Sequence, residues 1–444
     1  MLIRSASGLR GIVKDDFSRE LIDQYIASFI FNQNIAHCVI GRDGRHSGKE
    51  ISQWVIDSLT KYGVDVDNCD LATTPTMQLM AEKEQYDGGI VITASHNPSE
   101  YNGLKFLQKD GTFLSPDQCN ALFVSVDKQD TSSFHDFFQY GLNIKGRVSV
   151  YNSANEEHIH KVLNAQCIEP DNINSKKFKF VIDSVNGSGS DILPQLCKKL
   201  GCDVTLINCN GDGNFTRIPE PLAPNLKDLE RKVLEVGADI GFATDPDGDR
   251  LSIVSNEGKA IGEEYTLVLA FKNFIKYKES IVVTNLSTSK MIDSLSSSSI
   301  RTKIGEAHVV EKMKELNIPI GGEGNGGVIL NEVHLGRDSL VAAAMVLNLL
   351  SEENKSINDI VGEIPSYIFI KDKVDIDNSI DFDSLATLFD CDEINTDDGI
   401  KFSWPEKWIH IRRSNTEPII RIFAEAKTES QVNNLIQTLK DYLK

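Results

Sequence analysis

The sequence predicts an α/β fold with largely parallel sheets, followed by a C-terminal α+β module. Apolar runs of strand length alternate with helical patterns over most of the chain, and this alternation is typical of α/β units. The final block differs, because strands predicted at 408–411 and 419–423 bracket a polar loop before a closing helix at 429–443. The chain has 444 residues. At about 150 residues per domain, this length predicts three domains, or four if some are small.

The first block carries a serine at the end of its strongest strand. That strand, at 89–93, runs directly into the segment Ala94-Ser95-His96-Asn97-Pro98. A side chain at the carboxyl end of a buried strand lies where open α/β sheets collect their ligands. Ser95 is therefore a candidate nucleophile or phosphate carrier. A Ser-His-Asp hydrolase is disfavoured, because no Gly-x-Ser-x-Gly elbow surrounds Ser95.

The second and third blocks repeat the order of strands and helices. In the second block we expect strands at 178–182, 204–207 and 239–243, and a helix at 192–200. The third block is predicted to begin with a strand at 251–254, to include a strand at 281–284 and to end in a helix at 340–350. These three blocks could be topological repeats, although they share no repeat of residue identity.

Three aspartates at alternate positions form the segment Asp245-Pro246-Asp247-Gly248-Asp249. Carboxylates this close repel each other without a cation, and a loop kept tight by Pro and Gly could direct all three at one hard cation. An EF-hand fits poorly, because Arg250 stands where its glycine belongs and Asn256 where its glutamate belongs. The acidic set suits Mg²⁺ with room for a phosphate oxygen, which Arg250 could also hold. A solvated acidic turn is the alternative.

Two further loops have the composition of anion and sugar sites. Arg412-Arg413-Ser414-Asn415-Thr416, with Arg421 after it, offers guanidinium, hydroxyl and amide donors to a phosphate dianion. An exposed hairpin turn is the alternative for that loop. The glycine-rich segment 321–327 presents Glu323 and Asn325, a pair that suits sugar hydroxyls better than pyrophosphate, and it does not fit the dinucleotide pattern.

Composition excludes several classes of partner. The formal net charge of −19 disfavours nucleic acid and anionic membranes. No apolar run approaches the roughly 18 residues of a membrane span. The eight cysteines show no Cys-x-x-Cys pair and no zinc-type spacing, so we expect reduced thiols and a cytoplasmic protein.

Together these segments resemble the α-D-phosphohexomutase superfamily over essentially the whole chain. Six motifs appear in the family's order, at 8–11, 41–43, 93–98 with 102–105, 245–250, 322–327 and 412–418. The segment 212–215, with 219–221 after it, also looks like the family's second domain. The resemblance implies three similar α/β domains and one α+β domain around a central cleft. We expect these domains at 1–146 with the phosphoserine loop, 147–250 with the metal loop, 251–356 with the sugar-recognition loop, and 357–444 with the phosphate-binding loop.

The resemblance also implies the role of each site residue. Ser95 would be a phosphoserine in the resting enzyme and would hold Mg²⁺ together with Asp245, Asp247 and Asp249. Arg10 and Lys105 would flank the phosphoryl group, with His96 nearby. The residues implied to hold the sugar or its other phosphate are Arg250, Glu323, Asn325, Gly326, Arg412, Ser414, Asn415, Thr416 and Arg421.

The implied reaction interconverts hexose 6-phosphate and hexose 1-phosphate through a sugar 1,6-bisphosphate, which must turn round in the cleft. Its partners would be a small phosphosugar substrate and the bisphosphate as activator, and the protein would be a monomer or a dimer. Asn325-Gly326-Gly327 replaces the usual Ser-Gly-His or Ser-Ala-His, and Glu306 stands where relatives acting on phosphoglucose and phosphomannose tend to have histidine. These differences favour the branch that acts on glucosamine phosphate, with glucose or mannose phosphate as alternatives.

Three questions stay open at this level. The roles of Glu306 and His308 are unassigned, and Ala6-Ser7 replaces the usual Gly-Thr-Ser, which leaves the role of Ser5 or Ser7 open. A magnesium-dependent phosphatase or a nucleotide-sugar glycosyltransferase would use the acidic loop but would leave Ser95 and the Arg412 loop without a role. A phosphosugar-binding scaffold protein would need no phosphate carrier.

Overall fold

The computed structural model describes residues 2–5, 8–128, 145–295, 299–375, 383–413 and 419–443. Over these residues the chain folds into four β-sheets with helices packed against them. We call the four sheets with their helices the first, second, third and fourth units, in chain order. The predicted α/β class with a C-terminal α+β unit is confirmed.

The first unit has a seven-stranded sheet in the order β1-β2-β6-β5-β3-β4-β7. Its strands are β1 Ile3–Ser5, β2 Gly8–Ile12, β3 His37–Arg42, β4 Asp65–Leu71, β5 Gly88–Ile92, β6 Tyr101–Leu107 and β7 Val148–Val150. Its helices are α1 Val13–Asp16, α2 Arg19–Gln33, α3 Gly48–Lys61, α4 Thr74–Ala81 and α5 Pro116–Asp127. β3 is parallel to β4 and β5, whereas β6 returns antiparallel to β5. The turn that holds Ser95 therefore connects β5 and β6.

The second unit has a four-stranded sheet in the order β11-β10-β8-β9. Its strands are β8 Lys179–Asp183, β9 Asp203–Ile207, β10 Ile240–Thr244 and β11 Leu251–Ser255, and its helices are α6 Ala154–Leu163, α7 Pro170–Lys176, α8 Gly189–Lys199 and α9 Lys227–Val236. The sequence places the strand at 251–254 at the start of the third block. This placement is wrong, because the strand is β11 and pairs antiparallel with β10 of the second unit. The acidic segment is thus the connection of a β-hairpin.

The third unit has a four-stranded sheet in the order β13-β12-β14-β15. Its strands are β12 Val282–Asn285, β13 Ser299–Thr302, β14 Ile320–Glu323 and β15 Gly327–Leu330, and its helices are α10 Glu264–Tyr277, α11 Glu306–Leu316, α12 Ser339–Glu353 and α13 Ile357–Gly362. β14 and β15 form a hairpin whose turn is the predicted sugar loop. The strand order β6-β5-β3-β4 in the first sheet, β11-β10-β8-β9 in the second and β15-β14-β12-β13 in the third is the same pattern. The three units are therefore topological repeats.

The fourth unit is an antiparallel sheet in the order β16-β20-β19-β18-β17. Its strands are β16 Ile368–Asp375, β17 Glu393–Asn395, β18 Ile400–Ser403, β19 Trp408–Arg413 and β20 Ile419–Ala426. The closing helix α14 Glu429–Tyr442 starts at a capping box formed by Thr428 and Gln431. Alternate strand residues such as Ile409, Ile411 and Ile422 pack against that helix, as the period of a half-buried strand requires.

The cores of the units are not equally separate. The first and fourth units each have their own hydrophobic cluster. The largest cluster combines residues of the second and third sheets around helix α12, whose residues 339–351 are buried. The second and third units therefore share one core. In the part of the chain that the structure describes, no helix is long and apolar enough to cross a bilayer.

Candidate active site

Three predicted site loops occupy the same topological position in the first three units. Each loop follows the third strand, in chain order, of the repeated four-strand pattern and leads into the antiparallel hairpin strand. These loops contain Ser95 between β5 and β6, the aspartates between β10 and β11, and Asn325 between β14 and β15. Ser95 contacts the aspartate loop, and Arg337 connects the aspartate loop to Glu323 of the third loop.

Ser95 lies against the acidic loop of the neighbouring unit. Its side chain is buried, and its hydroxyl donates a hydrogen bond to Asp245 Oδ2 at 3.4 Å and lies 3.2 Å from His96 Nδ1. Its backbone has a φ of 52°, a left-handed conformation that costs a non-glycine residue about 1–3 kcal/mol. The surrounding contacts hold this conformation, and it turns the hydroxyl towards the acidic loop.

Asp245, Asp247 and Asp249 form a buried carboxylate cluster. One oxygen from each lies within 4.8 Å of the others, and all three residues have 0 % exposure. Burial, together with repulsion from Asp249 and Asp247, raises the pKa of Asp245 well above its ordinary value. Among the described residues, Asp247 Oδ1 and Asp249 Oδ1 are buried and receive no hydrogen bond. Clustered carboxylate oxygens with free lone pairs are ligands that suit a small divalent cation, so these residues fit the metal implied by the family resemblance.

Lys105 and Thr74 hold one of these carboxylates from the first unit. Lys105 Nζ lies 2.6 Å from Asp247 Oδ2 and 3.8 Å from Asp249 Oδ2. The Thr74 hydroxyl donates to the same Asp247 oxygen at 2.6 Å. Although burial acts in the opposite direction, the Lys105 ammonium holds the pKa of Asp247 well below its usual range. The metal loop is thus fixed in place by residues of another sheet.

The remaining predicted residues of the first unit lie beside Ser95. Arg10 lines the cleft and donates from Nη1 to Asn97 Oδ1 at 3.2 Å. Burial, and then the nearby charges of Arg250 and Arg10, lower the pKa of His96 well below its ordinary value. His96 is therefore neutral near pH 7, and its ring nitrogen can exchange a proton with the Ser95 hydroxyl.

Arg250 joins the acidic loop to the cleft wall. Its backbone N–H donates to Asp245 Oδ1 at 3.2 Å, and its guanidinium donates to Glu220 Oε1 at 3.3 Å. Glu220 belongs to the segment 219–221 that carried part of the family resemblance. Arg250 lines the same cleft as Arg10 and Lys105, where a phosphate group would be attracted by three cations.

Arg337 is a central residue that sequence reasoning missed. Its guanidinium donates to Asp249 Oδ2 at 2.6 Å, to Glu306 Oε2 at 3.0 Å and to Glu323 Oε2 at 2.7 Å. It thereby connects the metal loop of the second unit to two acids of the third. The only signal in the sequence is an arginine after Gly336 in a loop before α12, and no local pattern names its three partners.

The predicted sugar loop is a tight turn whose Glu323 is bound by residues of neighbouring segments. Glu323 Oε1 accepts hydrogen bonds from Asn285 Nδ2 at 2.8 Å and from the Gly305 N–H at 2.9 Å. Burial would raise the pKa of Glu323, but Arg337 opposes it and the pKa is lowered. Asn325 Nδ2 donates to Glu323 Oε2 at 3.3 Å. A Cβ on Gly326 would lie 2.4 Å from the Leu251 carbonyl oxygen, so only glycine fits this turn.

Glu306, whose role the sequence left open, starts helix α11 at the cleft. Gln78 Nε2 donates to its Oε1 at 3.0 Å, and Arg337 binds its other oxygen. Burial raises the pKa of Glu306, and Arg337 only partly offsets this. His308 also lines the cleft. Both residues therefore lie where they can contact a substrate.

The fourth unit contributes two arginines to the cleft. Arg412 on β19 stands opposite Arg421 on β20, and both line the cleft. Arg412 pairs with Asp398 at 2.8 Å, and Asp398 in turn accepts the Ile304 N–H at 2.9 Å. Ser414, Asn415 and Thr416 lie outside the described residues, as do Ala6 and Ser7.

A cleft of about 550 Å³ connects these groups, a size within the roughly 300–1,000 Å³ of small-molecule sites. Its wall includes Arg10, Lys105, Arg250, Glu323, Asn325, Arg337, Arg412 and Arg421. Residues from all four units thus face one space. The wall thus combines arginine and lysine cations with the carboxylate of Glu323 and the amide of Asn325.

Comparisons with known proteins agree with this arrangement. The four family models of the phosphoglucomutase/phosphomannomutase series match consecutive parts of the chain: α/β/α domain I at 1–133, domain II at 156–258, domain III at 262–367 and the C-terminal domain at 373–441. A probable phosphoglucosamine mutase of Methanopyrus kandleri is 31% identical, over 99% of this chain and 97% of the relative. A phosphoglucomutase/phosphomannomutase of Thermococcus kodakarensis is 33% identical, over 97% of this chain and 96% of the relative.

The fold is also similar to that of solved structures. A phosphoglucomutase/phosphomannomutase family protein from Burkholderia thailandensis superposes with a TM-score of 0.85 at 24% identity, and the match covers 100% of this chain and 98% of that one. The whole chain, and not one unit of it, is therefore similar to these proteins.

Proposed function

The chain belongs to the phosphoglucomutase/phosphomannomutase family, and on that premise we propose that it isomerises a hexose phosphate by way of a phosphoserine at Ser95. One observation carries the proposal. The Ser95 hydroxyl of the first unit lies 3.4 Å from Asp245 of the second, and Lys105 and Arg250 of the same two units line a cleft together with further arginines. A phosphatase or a glycosyltransferase would need no buried hydroxyl at that point.

We assign the metal to the carboxylate cluster. Asp245, Asp247 and Asp249 would hold Mg²⁺ together with the phosphate on Ser95, since their oxygens lie close together and Asp247 Oδ1 and Asp249 Oδ1 accept no hydrogen bond within the described residues. When bound, the cation would offset negative charge on the transferred phosphoryl group.

The first transfer uses residues around Ser95. The bond between phosphorus and the Ser95 oxygen breaks as a bond forms to the free hydroxyl of a sugar monophosphate, which loses its proton. Arg10 and Lys105 would offset charge on the transferred group, because both cations line the cleft and contact the Ser95 loop and the metal loop, at Asn97 and Asp247 respectively. His96 Nδ1, at 3.2 Å from the Ser95 oxygen, is in reach to exchange the proton that Ser95 gains or loses.

The second transfer returns the other phosphate of the bisphosphate to Ser95. The intermediate must therefore bind in two orientations, and the far end of the cleft must accept either phosphate. We assign that role to Arg412 and Arg421, which face each other on neighbouring strands, together with the predicted Ser414, Asn415 and Thr416. A sugar 1,6-bisphosphate would then also prime the unphosphorylated enzyme.

The monomer or dimer state stays a prediction, and the eight free cysteines support the predicted cytoplasmic location.

We propose glucosamine phosphate as the preferred substrate. Glu306 and Glu323 share the single guanidinium of Arg337 at the middle of the cleft, so this region can accept an ammonium group. The name of the Methanopyrus kandleri relative supports this choice, whereas the name of the Thermococcus kodakarensis relative supports glucose or mannose phosphate. Initial rates with glucosamine, glucose, mannose and N-acetylglucosamine phosphates rank the sugars, and a higher kcat/KM for glucose or mannose phosphate would contradict the glucosamine assignment.

The phosphoserine is tested by intact mass spectrometry. Protein incubated with hexose 1,6-bisphosphate should gain one phosphate that maps to Ser95. Ser95→Ala should show no such phosphate and should lose mutase turnover. Ser190→Ala is the matched control, because Ser190 is also buried but bonds only to the Gly187 carbonyl within the second unit. Full mutase turnover in Ser95→Ala would exclude the phosphoserine role.

A further inference from the structure

Arg45 lies beneath the loop that carries Ser95 and has no exposed side-chain surface. Its Nη1 group donates to the carbonyl oxygens of Pro98 at 2.5 Å and Tyr101 at 2.9 Å. Its Nη2 group donates to those of Ser95 at 2.7 Å and Asn97 at 2.6 Å. The fifth donor, Nε, binds Asp43 Oδ2 at 3.0 Å. All five guanidinium N–H groups are therefore used within the protein.

Asp43, the carboxylate partner of Arg45, is also connected to the N–H group of Ser95 through Thr93. Asp43 Oδ2 accepts the Thr93 hydroxyl at 2.6 Å, and Thr93 Oγ1 accepts the Ser95 N–H at 2.8 Å. The N–H and the C=O of Ser95 are thus both held by groups that trace back to the Asp43–Arg45 pair. This double constraint accounts for the left-handed φ of 52° at a serine.

We propose that Arg45 is a positioning residue for phosphoryl transfer, which fixes the Ser95 loop through four backbone carbonyls and touches neither the sugar nor its phosphates. The proposal rests on the phosphoserine function proposed above. Arginine-bearing turns such as 41–47 have the composition of an anion site, but a guanidinium whose five donors are already bonded cannot bind a phosphate as well.

The second unit closes over the same guanidinium. The Phe215 ring centroid lies 5.0 Å from Arg45 Cζ, and His46 Nε2 lies 2.9 Å from Asn214 Oδ1. A Cβ on Gly213 would lie 2.1 Å from the Gly44 carbonyl oxygen. The segment 212–215 of the second unit therefore packs against Arg45 and its neighbours in the turn 44–46.

Arg45→Lys is the decisive variant. Lysine keeps the positive charge beside Asp43 but offers three donors from one nitrogen atom, which cannot reach four carbonyls and a carboxylate at once. The Ser95 oxygen should then sample positions away from in-line attack, and misplacement of about 1 Å is enough to lower a rate by roughly a hundredfold. We expect a single-turnover transfer rate from phosphorylated enzyme that is lower by about ten- to a hundredfold, with a KM for the sugar phosphate within about twofold of the original.

Arg301→Lys is the matched control, since Arg301 binds Asp293 and the carbonyls of Thr288 and Ser289 in the third unit. The rate is normalised to the Ser95 phosphate measured by mass, and thermal unfolding is measured for both variants. A loss of normalised rate in Arg45→Lys alone supports the positioning role. An unchanged normalised rate in a folded Arg45→Lys, or an equal loss in Arg301→Lys, overturns it. If the original protein takes no phosphate on Ser95, the failure belongs to the proposed function instead.

Discussion

At the scale of single residues, three carboxylates beside the cleft share one guanidinium. Arg337 binds Asp249, Glu306 and Glu323, which come from two different units. All four side chains are buried, and buried charges are stable only when each has its partner. Arg337 is therefore the residue that lets the metal loop and the sugar loop approach each other.

Replacement of this guanidinium should change metal affinity and catalysis in opposite directions. Arg337→Met removes a positive charge 2.6 Å from an Asp249 oxygen, so the cluster becomes more negative and Mg²⁺ should bind more tightly. The unpaired Glu306 and Glu323 should lower the free energy of unfolding by about 3–5 kcal/mol, and kcat/KM should fall. Titration of activity and of intrinsic fluorescence with Mg²⁺ measures the affinity, and urea unfolding measures stability. Weaker Mg²⁺ binding in this variant would show that Arg337 does not act through charge.

The sequence predicted the site residues that stand in compact motifs and missed those defined by distant partners. Ser95 and the three aspartates are recognisable because neighbouring residues alone show their chemistry. Gln78 and Arg337 carry no such mark, since the carboxylates that they bind come from other segments of the chain. Arg45 stands in a turn with the composition of an anion site, but its guanidinium binds backbone carbonyls of the Ser95 loop. Their roles follow from the fold and not from a local pattern.

At the scale of elements, helix α4 of the first unit contacts both of its neighbours. Thr74 at its first turn binds Asp247 of the metal loop, and its backbone N–H binds the Asp247 carbonyl. Thr76 Oγ1 lies 2.9 Å from His158 Nδ1, whose other ring nitrogen lies 2.7 Å from Asp338. Gln78 binds Glu306. One eight-residue helix thus fixes the metal loop, the residue after Arg337 and the start of α11.

Two threonines of this helix allow an isosteric comparison. Both have 0 % exposure, and valine replaces only the hydroxyl of each. Thr74→Val removes a hydrogen bond to Asp247, so we expect lower stability together with an altered Mg²⁺ dependence of kcat. Thr76→Val leaves His158 Nδ1 without a partner, which should cost about 1–3 kcal/mol of unfolding free energy but should leave the Mg²⁺ dependence unchanged. Thermal unfolding and Mg²⁺ titrations separate the two effects, and identical titration curves for the two variants would contradict the assignment.

Strand β11 shows why element prediction failed at one point. The residues 251–254 were predicted as a strand, which is correct, but they were assigned to the next block. The sequence indicates that Pro and Gly keep the segment 245–250 tight, but it does not show that this tight loop connects two antiparallel strands of one sheet. When one loop both holds chemical groups and reverses the chain, the sequence shows the chemical groups more clearly than the chain reversal.

At the scale of the whole molecule, the fourth unit is joined to the third by buried polar contacts. Ser287 Oγ of the third unit lies 2.8 Å from His410 Nδ1 of the fourth. Within the fourth unit, Trp408 Nε1 donates to Glu425 Oε2 at 2.6 Å. Glu425 also accepts the Lys290 N–H at 2.9 Å. His410 Nε2 lies 2.6 Å from the Asp398 carbonyl oxygen, so Nε2 carries the proton and Nδ1 accepts from Ser287. This interface depends on a neutral histidine.

This interface should weaken in acid. Burial lowers the pKa of His410 to about 4, and the charges of Lys401 and Arg412 act in the same direction, with Asp398 as the opposing carboxylate. The unfolded chain binds this proton below about pH 6.5 and the folded chain only near pH 4. Stability should therefore be complete above pH 6.5 and should fall as the pH drops towards 4, by at most about 1.4 kcal/mol per pH unit from this residue.

Unfolding by urea between pH 7 and pH 4.5 measures this loss. His410→Gln keeps polar atoms in the interface but cannot titrate, so its unfolding free energy should be lower at pH 7 and should depend less steeply on pH. Parallel pH curves for the original protein and the variant would show that another group is responsible.

The order of the four units was predictable, but their packing was not. Each block carries its own alternation of strands and helices, which is a local signal. The shared core of the second and third units depends on α12, whose residues 339–351 are all buried. Because this helix has no distinct polar face, its sequence does not indicate which sheets pack against it.

The reach of α4 across three units limits how this protein can be recombined with its relatives. A chimera that takes its third unit from another member inherits a new residue at position 306, yet still meets the Gln78 of this chain. A chimera should therefore take Thr74, Thr76 and Gln78 from the same parent as the segments that contain their partners Asp247, His158 and Glu306. A graft of the fourth unit leaves these three contacts of α4 intact, but it has to preserve the contacts of His410 and Glu425 with the third unit.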